Sequence, residues 1–95
     1  MSDKTFSIQW TCYAAPLQAE GFIDGRPWYF RARWEAWWFG IADKGGNAVK
    51  VSLDEEKGFR RCGRWGDGEF AASYMPPIEG LQIIWSLIGQ WRQAR

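Results

Sequence analysis

The sequence predicts an α+β fold, an antiparallel β-meander of about five strands with one C-terminal helix packed on it. Apolar and polar residues alternate in several short segments, as they do in half-buried strands. Asp, Gly and Asn residues typical of turns separate these segments. The C-terminal segment instead repeats its apolar residues at helical spacing. The chain has 95 residues, and we expect residues 1–95 to form a single domain.

The first two strands are predicted at residues 5–12 and 17–24, on either side of Pro16. In the first segment, three large apolar residues alternate strictly with Ser, Gln and Thr. The second segment has a small or apolar face made of Ala19, Gly21 and Ile23, and an opposite face made of Gln18, Glu20 and Phe22. Both patterns are typical of strands with one face on the core.

Asp24-Gly25 predicts a tight turn after the second strand, because a type I′ turn needs positive φ at both central residues. A type II′ turn at Gly25-Arg26 is the alternative. It shifts the register by two residues and leaves the face assignments unchanged. With the type II′ turn, Glu20 lies directly across from Arg31 and pairs with it.

The third strand, residues 27–34, lies in the most aromatic part of the chain. Its residues on the Ile23 face are Trp28, Phe30, Ala32 and Trp34, and those opposite are Tyr29, Arg31 and Arg33. A turn near Glu35-Ala36 leads to the fourth strand, residues 37–42. There Trp37, Phe39 and Ile41 share one face, and Trp38, Gly40 and Ala42 share the other. Together these strands offer more large apolar surface than one small core needs, which indicates a binding surface.

A turn at Gly45-Gly46 precedes residues 48–53, whose alternation predicts the fifth strand. Residues 54–74 are less regular, since four glycines interrupt any helix. They predict a long loop with a short strand near residues 69–74. Loops of this length are uncommon inside compact domains and are often functional.

Pro76-Pro77 opens a helix that we expect to end near Gln93, because proline suits the first helical turn. Its predicted core-facing stripe is Ile78, Leu81, Ile84, Trp85, Ile88 and Trp91. Ile83 and Leu87 lie outside this stripe and widen the apolar arc beyond what one sheet face needs. The pair predicts a surface for self-association, and hence a homodimer, unless the long loop covers it.

Composition argues against several kinds of site. The net charge of +1 is far from the basic balance of a general nucleic-acid binder. The sequence has no histidine, and Cys12 and Cys62 lack the spacing of a zinc site, so we predict no metal and no cofactor. We expect both thiols to be reduced and buried, with a single disulfide as the alternative. The polar N-terminus and the lack of a run of about 18 apolar residues predict cytoplasmic localisation and no membrane partner.

Arginines interleaved with aromatic residues predict the partner-binding surface. Its residues are Tyr29, Arg31, Arg33 and Trp38 on an open sheet face, and Arg60, Arg61, Arg64 and Trp65 in the long loop. Tyr, Trp and Arg are the favoured anchors of protein interfaces, so we expect a protein partner. The same face could stack bases and hold phosphates, which makes nucleic-acid binding the alternative. A solvated face, with the arginines paired to Glu20 and Glu35, is the remaining interpretation.

The sequence marks no catalytic constellation. The carboxylates considered for acid–base chemistry are Asp24, Glu35, Asp67 and Glu69, and no pair of them is distinguished by its position. Residues 63–68 are rich in glycine but lack the Lys-Ser/Thr ending of a phosphate-binding loop. We therefore predict a protein that is not an enzyme.

Residues 19–33, AEGFIDGRPWYFRAR, resemble a motif of small uncharacterised bacterial and phage-type proteins, as does Tyr74-Met75-Pro76 before the final helix. The motif brings no known chemistry with it. In size and in its surplus of interface residues the chain is also similar, in general character, to phage-encoded inhibitors of bacterial defence such as anti-CRISPR proteins. That likeness implies a non-enzymatic inhibitor or adaptor that blocks a surface of a larger partner, and it assigns no residues.

Overall fold

The computed structural model describes residues 5–94 and confirms the predicted α+β meander. Five antiparallel strands lie side by side in chain order: β1 Gln9–Tyr13, β2 Leu17–Ile23, β3 Arg26–Arg33, β4 Ala36–Ile41 and β5 Phe59–Arg64. The helices are α1, Ala48–Ser52, and α2, Pro77–Gln93, and a single 3-10 turn spans Ala72–Tyr74. The sheet therefore has β1 and β5 at its two edges, with α2 on one face and α1 on the other.

The β2–β3 turn has the type I′ form. Asp24 and Gly25 both have positive φ, at 50° and 81°, and Ile23 pairs with Arg26. The type II′ alternative is not adopted, so Tyr29, and not Arg31, lies opposite Glu20. The face assignments hold, as expected for a shift of two residues.

The β3–β4 turn is centred on Trp34-Glu35, one residue earlier than predicted, because Arg33 pairs with Ala36. Trp34 has a φ of +58°, a left-handed conformation that a bulky residue seldom adopts. The turn carries the Trp34 side chain out of the core face assigned to it, and the residue is 51% exposed.

Residues 48–53 do not form the predicted fifth strand, since α1 occupies them. The Asn47 side chain accepts a hydrogen bond from the Lys50 N–H at 3.1 Å, and this N-cap starts the helix. One face of α1 completes a small buried cluster made of Tyr29, Ala42, Ala48 and Val51. An alternation over six residues is compatible with one helical turn as well as with a strand. Here the Asn47 N-cap and the buried cluster favour the helix.

The actual fifth strand, β5, lies inside residues 54–74, so the long loop predicted there is wrong. The short strand near residues 69–74 is wrong as well, because the 3-10 turn Ala72–Tyr74 occupies that segment. Phe59, Arg61 and Gly63 of β5 pair with the α2-facing residues of β4. With arginine and glycine at two of these three positions, β5 has too little hydrophobic alternation to be recognised.

The buried face of α2 is rotated relative to the predicted stripe, and consists of Gly80, Ile84, Leu87, Ile88 and Trp91. Ile78 and Trp85 are instead 61% and 46% exposed. The cause lies at Gly80, where a Cβ would be only 2.8 Å from Leu17 Cδ2. A helix that contacts the sheet through Gly80 turns Leu87 inward, seven residues further along the same face.

The core between α2 and the sheet is aromatic. Its fully buried large side chains from the strands are Leu17, Ile23, Trp28, Phe30, Phe39 and Ile41. At one end of α2, Arg92 forms a paired contact with Asp24 of the β2–β3 turn, with Nη2–Oδ1 at 3.1 Å and Nε–Oδ2 at 3.3 Å. This clamp fixes the end of the helix against the hairpin.

One row of paired residues crosses the whole sheet from edge to edge. It runs through Cys12, Gln18, Arg31, Trp38 and Cys62. With about 4.8 Å between neighbouring strands, the two cysteines are about 19 Å apart, too far for a disulfide within the chain. Both thiols are free, as expected, but Cys62 is exposed and Cys12 only partly covered, so the prediction that both are buried is wrong.

Candidate partner-binding grooves

α1 lies across β3 and β4, so the sheet face expected to be open is partly covered. The close approach depends on Gly40, where a Cβ would be 2.6 Å from the Ser52 nitrogen and 2.7 Å from the Ala48 carbonyl oxygen. Two grooves border α1. One lies beside Arg31 and Arg33, and the other lies toward β1 and β2.

The first groove, here called the arginine groove, has a volume of about 290 Å³. The sheet supplies Tyr29, Arg31, Arg33, Trp34 and Trp38, and α1 and the residue after it supply Val49, Ser52 and Leu53. It therefore unites all four residues predicted on the sheet face. Its size is near the lower end of ordinary ligand pockets, which suits one or two side chains of a partner.

Arg31 sets the electrostatics of the arginine groove. Its Nε is buried and has no hydrogen-bond partner within residues 5–94. Both charged residues lining the groove, Arg31 and Arg33, are cationic, and no carboxylate from the described part of the chain lines it. A buried donor without a partner costs free energy, and this atom has too little exposed surface for an acceptor from outside to reach it without a movement of the side chain.

Tyr29 lies at the inner side of the groove and keeps its proton. Burial raises the pKa of Tyr29 above its ordinary value of 10.0. The positive charge of Arg31 and a hydrogen bond from Arg31 oppose this rise, whereas the negative charge of Glu20 adds to the rise. At neutral pH the Tyr29 hydroxyl is therefore available as a donor beside the arginine.

The outer wall of the groove is an arginine stacked on a tryptophan. The guanidinium carbon of Arg33 lies 4.8 Å from the centroid of the Trp34 ring. The Trp34 backbone is held from the 3-10 turn: its N–H donates to Ser73 Oγ at 2.6 Å, and its carbonyl accepts from the Ala72 N–H at 2.7 Å. Buried Ser73 thus holds the backbone of the turn that carries the exposed ring.

The residues predicted from the loop divide between the two faces. Arg60 and Arg64 lie on the α1 face of β5; Arg60 Nε donates to the Ser52 carbonyl at 3.0 Å, and Arg64 pairs with Glu35 at 2.9 Å. Arg61 lies on the α2 face, 4.1 Å from the Phe59 ring centroid. Trp65 packs against the core. None of these four residues lines the arginine groove; Arg60 is linked to it only through the hydrogen bond to Ser52, which does line it.

The predicted surface for self-association on α2 is not an exposed apolar pair. Leu87 is 5% exposed, and Ile83 is partly buried against the core. Both line a cleft of about 440 Å³ between α2 and β5, together with Trp37 and Arg61. The rotation of α2 about Gly80 accounts for the difference.

The second groove on the α1 face, here called the glutamate groove, has a volume of about 400 Å³. Segments from β1, β2, β3 and the start of α1 line it, and Glu20 is its one charged residue within the described ranges. Tyr29 and Val49 line both grooves, so the two adjoin at these residues.

The carboxylates considered for catalysis do not come together. Asp24 is paired with Arg92 and Glu35 with Arg64, and Asp67 and Glu69 are exposed in the segment after β5. Across residues 5–94 no group of three or more Cys, Asp or Glu side chains is placed to hold a metal ion. Within the same residues, neither helix is long and apolar enough to cross a membrane.

Four residues of the arginine groove were not predicted: Trp34, Val49, Ser52 and Leu53. Trp34 was assigned to the core by alternation, and the other three belong to a segment interpreted as a strand. The Asn47 cap was the one available signal for that helix.

No known protein family, curated protein or solved structure matches the chain.

Proposed function

We propose that this chain is a small protein-binding domain, an inhibitor or adaptor, that holds an acidic feature of a larger protein in the arginine groove. The observation that carries the proposal is that two arginines, Arg31 and Arg33, line the groove and no carboxylate of residues 5–94 does. A carboxylate of the partner is the acceptor that such guanidinium groups favour.

The walls of the arginine groove support a protein partner. Trp34 and Trp38 with Arg31 and Arg33 supply the residue types that dominate binding energy at protein interfaces. Trp34 is about half exposed, and its backbone is already held by Ser73, so the turn needs little further ordering on binding. A hydrogen bond from a charged donor to a carboxylate contributes about 1.5–3 kcal/mol.

The proposed mechanism is steric. The domain would occupy a functional surface of its partner, for example of a bacterial defence complex, and no chemical step by this chain is needed. Arginines at the groove would speed encounter with an acidic surface, and the aromatic anchors would slow dissociation.

The test is an affinity pull-down from bacterial lysate with and without nuclease, quantified by mass spectrometry, for the wild type and two variants. Arg31→Met removes the groove donor and keeps an apolar side chain. Arg64→Met is the matched control, because Arg64 is exposed, pairs with Glu35 and does not line the groove. We expect one nuclease-resistant partner, retained by Arg64→Met and depleted about tenfold by Arg31→Met. Equal recovery with both variants would contradict the proposal.

Nucleic-acid binding is the second candidate, because Arg31, Arg33, Arg60 and Arg64 all lie on the α1 face. If these four arginines neutralise four phosphates of a single strand, log Kd should change with log salt by a slope of about 3. Fluorescence anisotropy with a labelled oligothymidine, measured over a range of salt concentrations, gives this slope. A flat salt response or the absence of binding would exclude this candidate and leave the protein interface.

A further inference from the structure

The two grooves on the α1 face carry opposite charges. The arginine groove holds Arg31 and Arg33, and the glutamate groove holds Glu20; these are the only charged residues that line either groove in the described structure. Because Tyr29 and Val49 line both, the grooves adjoin at these residues, and the two together are here called the channel, with a cationic end and an anionic end. A partner that fills the channel must present charges in the reverse order.

The register of the strands gives the distance between these charges. Glu20 pairs with Tyr29, and Arg31 and Arg33 lie two and four residues further along β3. At about 3.3 Å per residue, Glu20 is about 7 Å from the Arg31 position and about 13 Å from the Arg33 position along the strand axis. An extended peptide spans these distances in about two and about four residues, since its own rise per residue is the same.

We propose that the channel binds one extended peptide segment of a protein, with an acidic side chain in the arginine groove and a basic side chain two or four residues away beside Glu20. The inference rests on the proposed function of the arginine groove and adds the second charge and its spacing. Tyr29 lines both grooves and is the contact that the two ends share.

A peptide fits the channel better than a nucleic-acid strand does. A strand carries negative charge at every nucleotide, so it would place phosphate beside the Glu20 carboxylate. Like charges opposed in this way reduce affinity and suppress the wrong partner. A peptide can alternate the sign of its charge and satisfy both ends.

The test is selection from a random 12-residue peptide library displayed on phage, against the whole chain, with the Arg31→Met variant used to remove background binders. We expect enriched peptides that pair an acidic with a basic residue two or four positions apart, in either order. A synthetic enriched peptide is then titrated against the wild type, Glu20→Lys and Glu69→Lys. The last variant makes the same charge change at an exposed site outside both grooves.

Glu20→Lys should weaken this peptide about fivefold, as expected for reversing one partly exposed charge, and Glu69→Lys should leave it unchanged. Replacing the basic residue of the peptide with an acidic one should restore binding to Glu20→Lys. Acidic peptides that need Arg31 but respond equally to Glu20→Lys and Glu69→Lys would overturn the two-ended channel and leave the arginine groove in place. No enrichment on the wild type over Arg31→Met would overturn both.

Discussion

Replacing Gly40 with alanine tests whether α1 is seated on the sheet as described. The new Cβ would lie 2.6 Å from the Ser52 nitrogen, about 1 Å inside an ordinary contact of about 3.5–4.0 Å. The nearest atoms all belong to the backbone of α1, so the helix must move away from β4 as a unit. Overpacking of this kind lowers the free energy of unfolding by about 1–3 kcal/mol. In a domain of this length each kcal/mol lowers Tm by about 4–8 °C.

Gly89→Ala is the matched control, because it makes the same chemical change with the opposite expected sign. Gly89 is exposed one turn before the end of α2, and a Cβ there would meet no atom within 4 Å. Alanine in a helix is more stable than glycine by about 0.5–1 kcal/mol. Thermal and urea denaturation followed by circular dichroism measure both variants.

The displacement of α1 should also open the arginine groove, because Val49, Ser52 and Leu53 form one of its walls. We therefore expect Gly40→Ala to lose partner binding even at temperatures where it is fully folded. If Gly40→Ala is as stable as the wild type and Gly89→Ala gains stability, then α1 does not rest on Gly40 and the described groove is wrong.

Three further predictions concern the supports of the site. Ser73→Ala should cost about 1–3 kcal/mol of unfolding free energy, because it leaves the Trp34 N–H without its acceptor, and should weaken partner binding. Asp24→Asn should cost about 1–2 kcal/mol, because it keeps the turn conformation but removes the charge that holds Arg92, and the loss should shrink in high salt. Burial raises the pKa of Tyr29 above its ordinary value, so the protonated hydroxyl contributes its full stabilisation below about pH 10. This contribution is lost as the pH rises through the raised pKa. Tyr29→Phe should therefore reduce the loss of stability at alkaline pH.

Each of these predictions has an outcome that would contradict it. Ser86→Ala, at an exposed position of α2, is the control for Ser73→Ala, and equal Tm values for the two would show that the Trp34 turn does not need Ser73. An Asp24→Asn variant whose denaturation midpoint matches the wild type at low salt would argue against the clamp. An alkaline unfolding profile that is identical with and without the Tyr29 hydroxyl would show that its burial does not matter for stability.

The central hairpins could be predicted from the sequence because they combine two independent signals. Successive residues of β2, β3 and β4 fall on opposite faces of the sheet, and Asp24-Gly25 defines the turn between the first two strands. Period-2 alternation fixes faces even when the turn type is uncertain. Tyr29, Arg31, Arg33 and Trp38 were therefore placed correctly on one face.

The covering elements could not be predicted because their patterns are short or lack apolar residues. Residues 48–53 alternate, and a single turn of helix cannot be distinguished from a strand over so few residues. The strand β5 could not be recognised because one of its core-facing positions is Gly63, which has no side chain to add to an apolar pattern. Trp37 covers this position, and a Cβ on Gly63 would be 2.6 Å from the Trp37 ring. Gly80 likewise adds no apolar signal, although it sets the rotation of α2.

The row of paired residues that crosses the sheet ends in Cys12 and Cys62, so the distance between these two thiols reports the width of the sheet. The two thiols, at opposite edges of the sheet, are the only cysteines of the chain and can take a pair of spin labels or fluorophores without any engineered site. Their separation of about 19 Å spans four strand-to-strand spacings. Detachment of either edge strand, by denaturant or by a partner that displaces it, would lengthen that distance before the central hairpins open. The width of the sheet can therefore be followed directly in the native sequence.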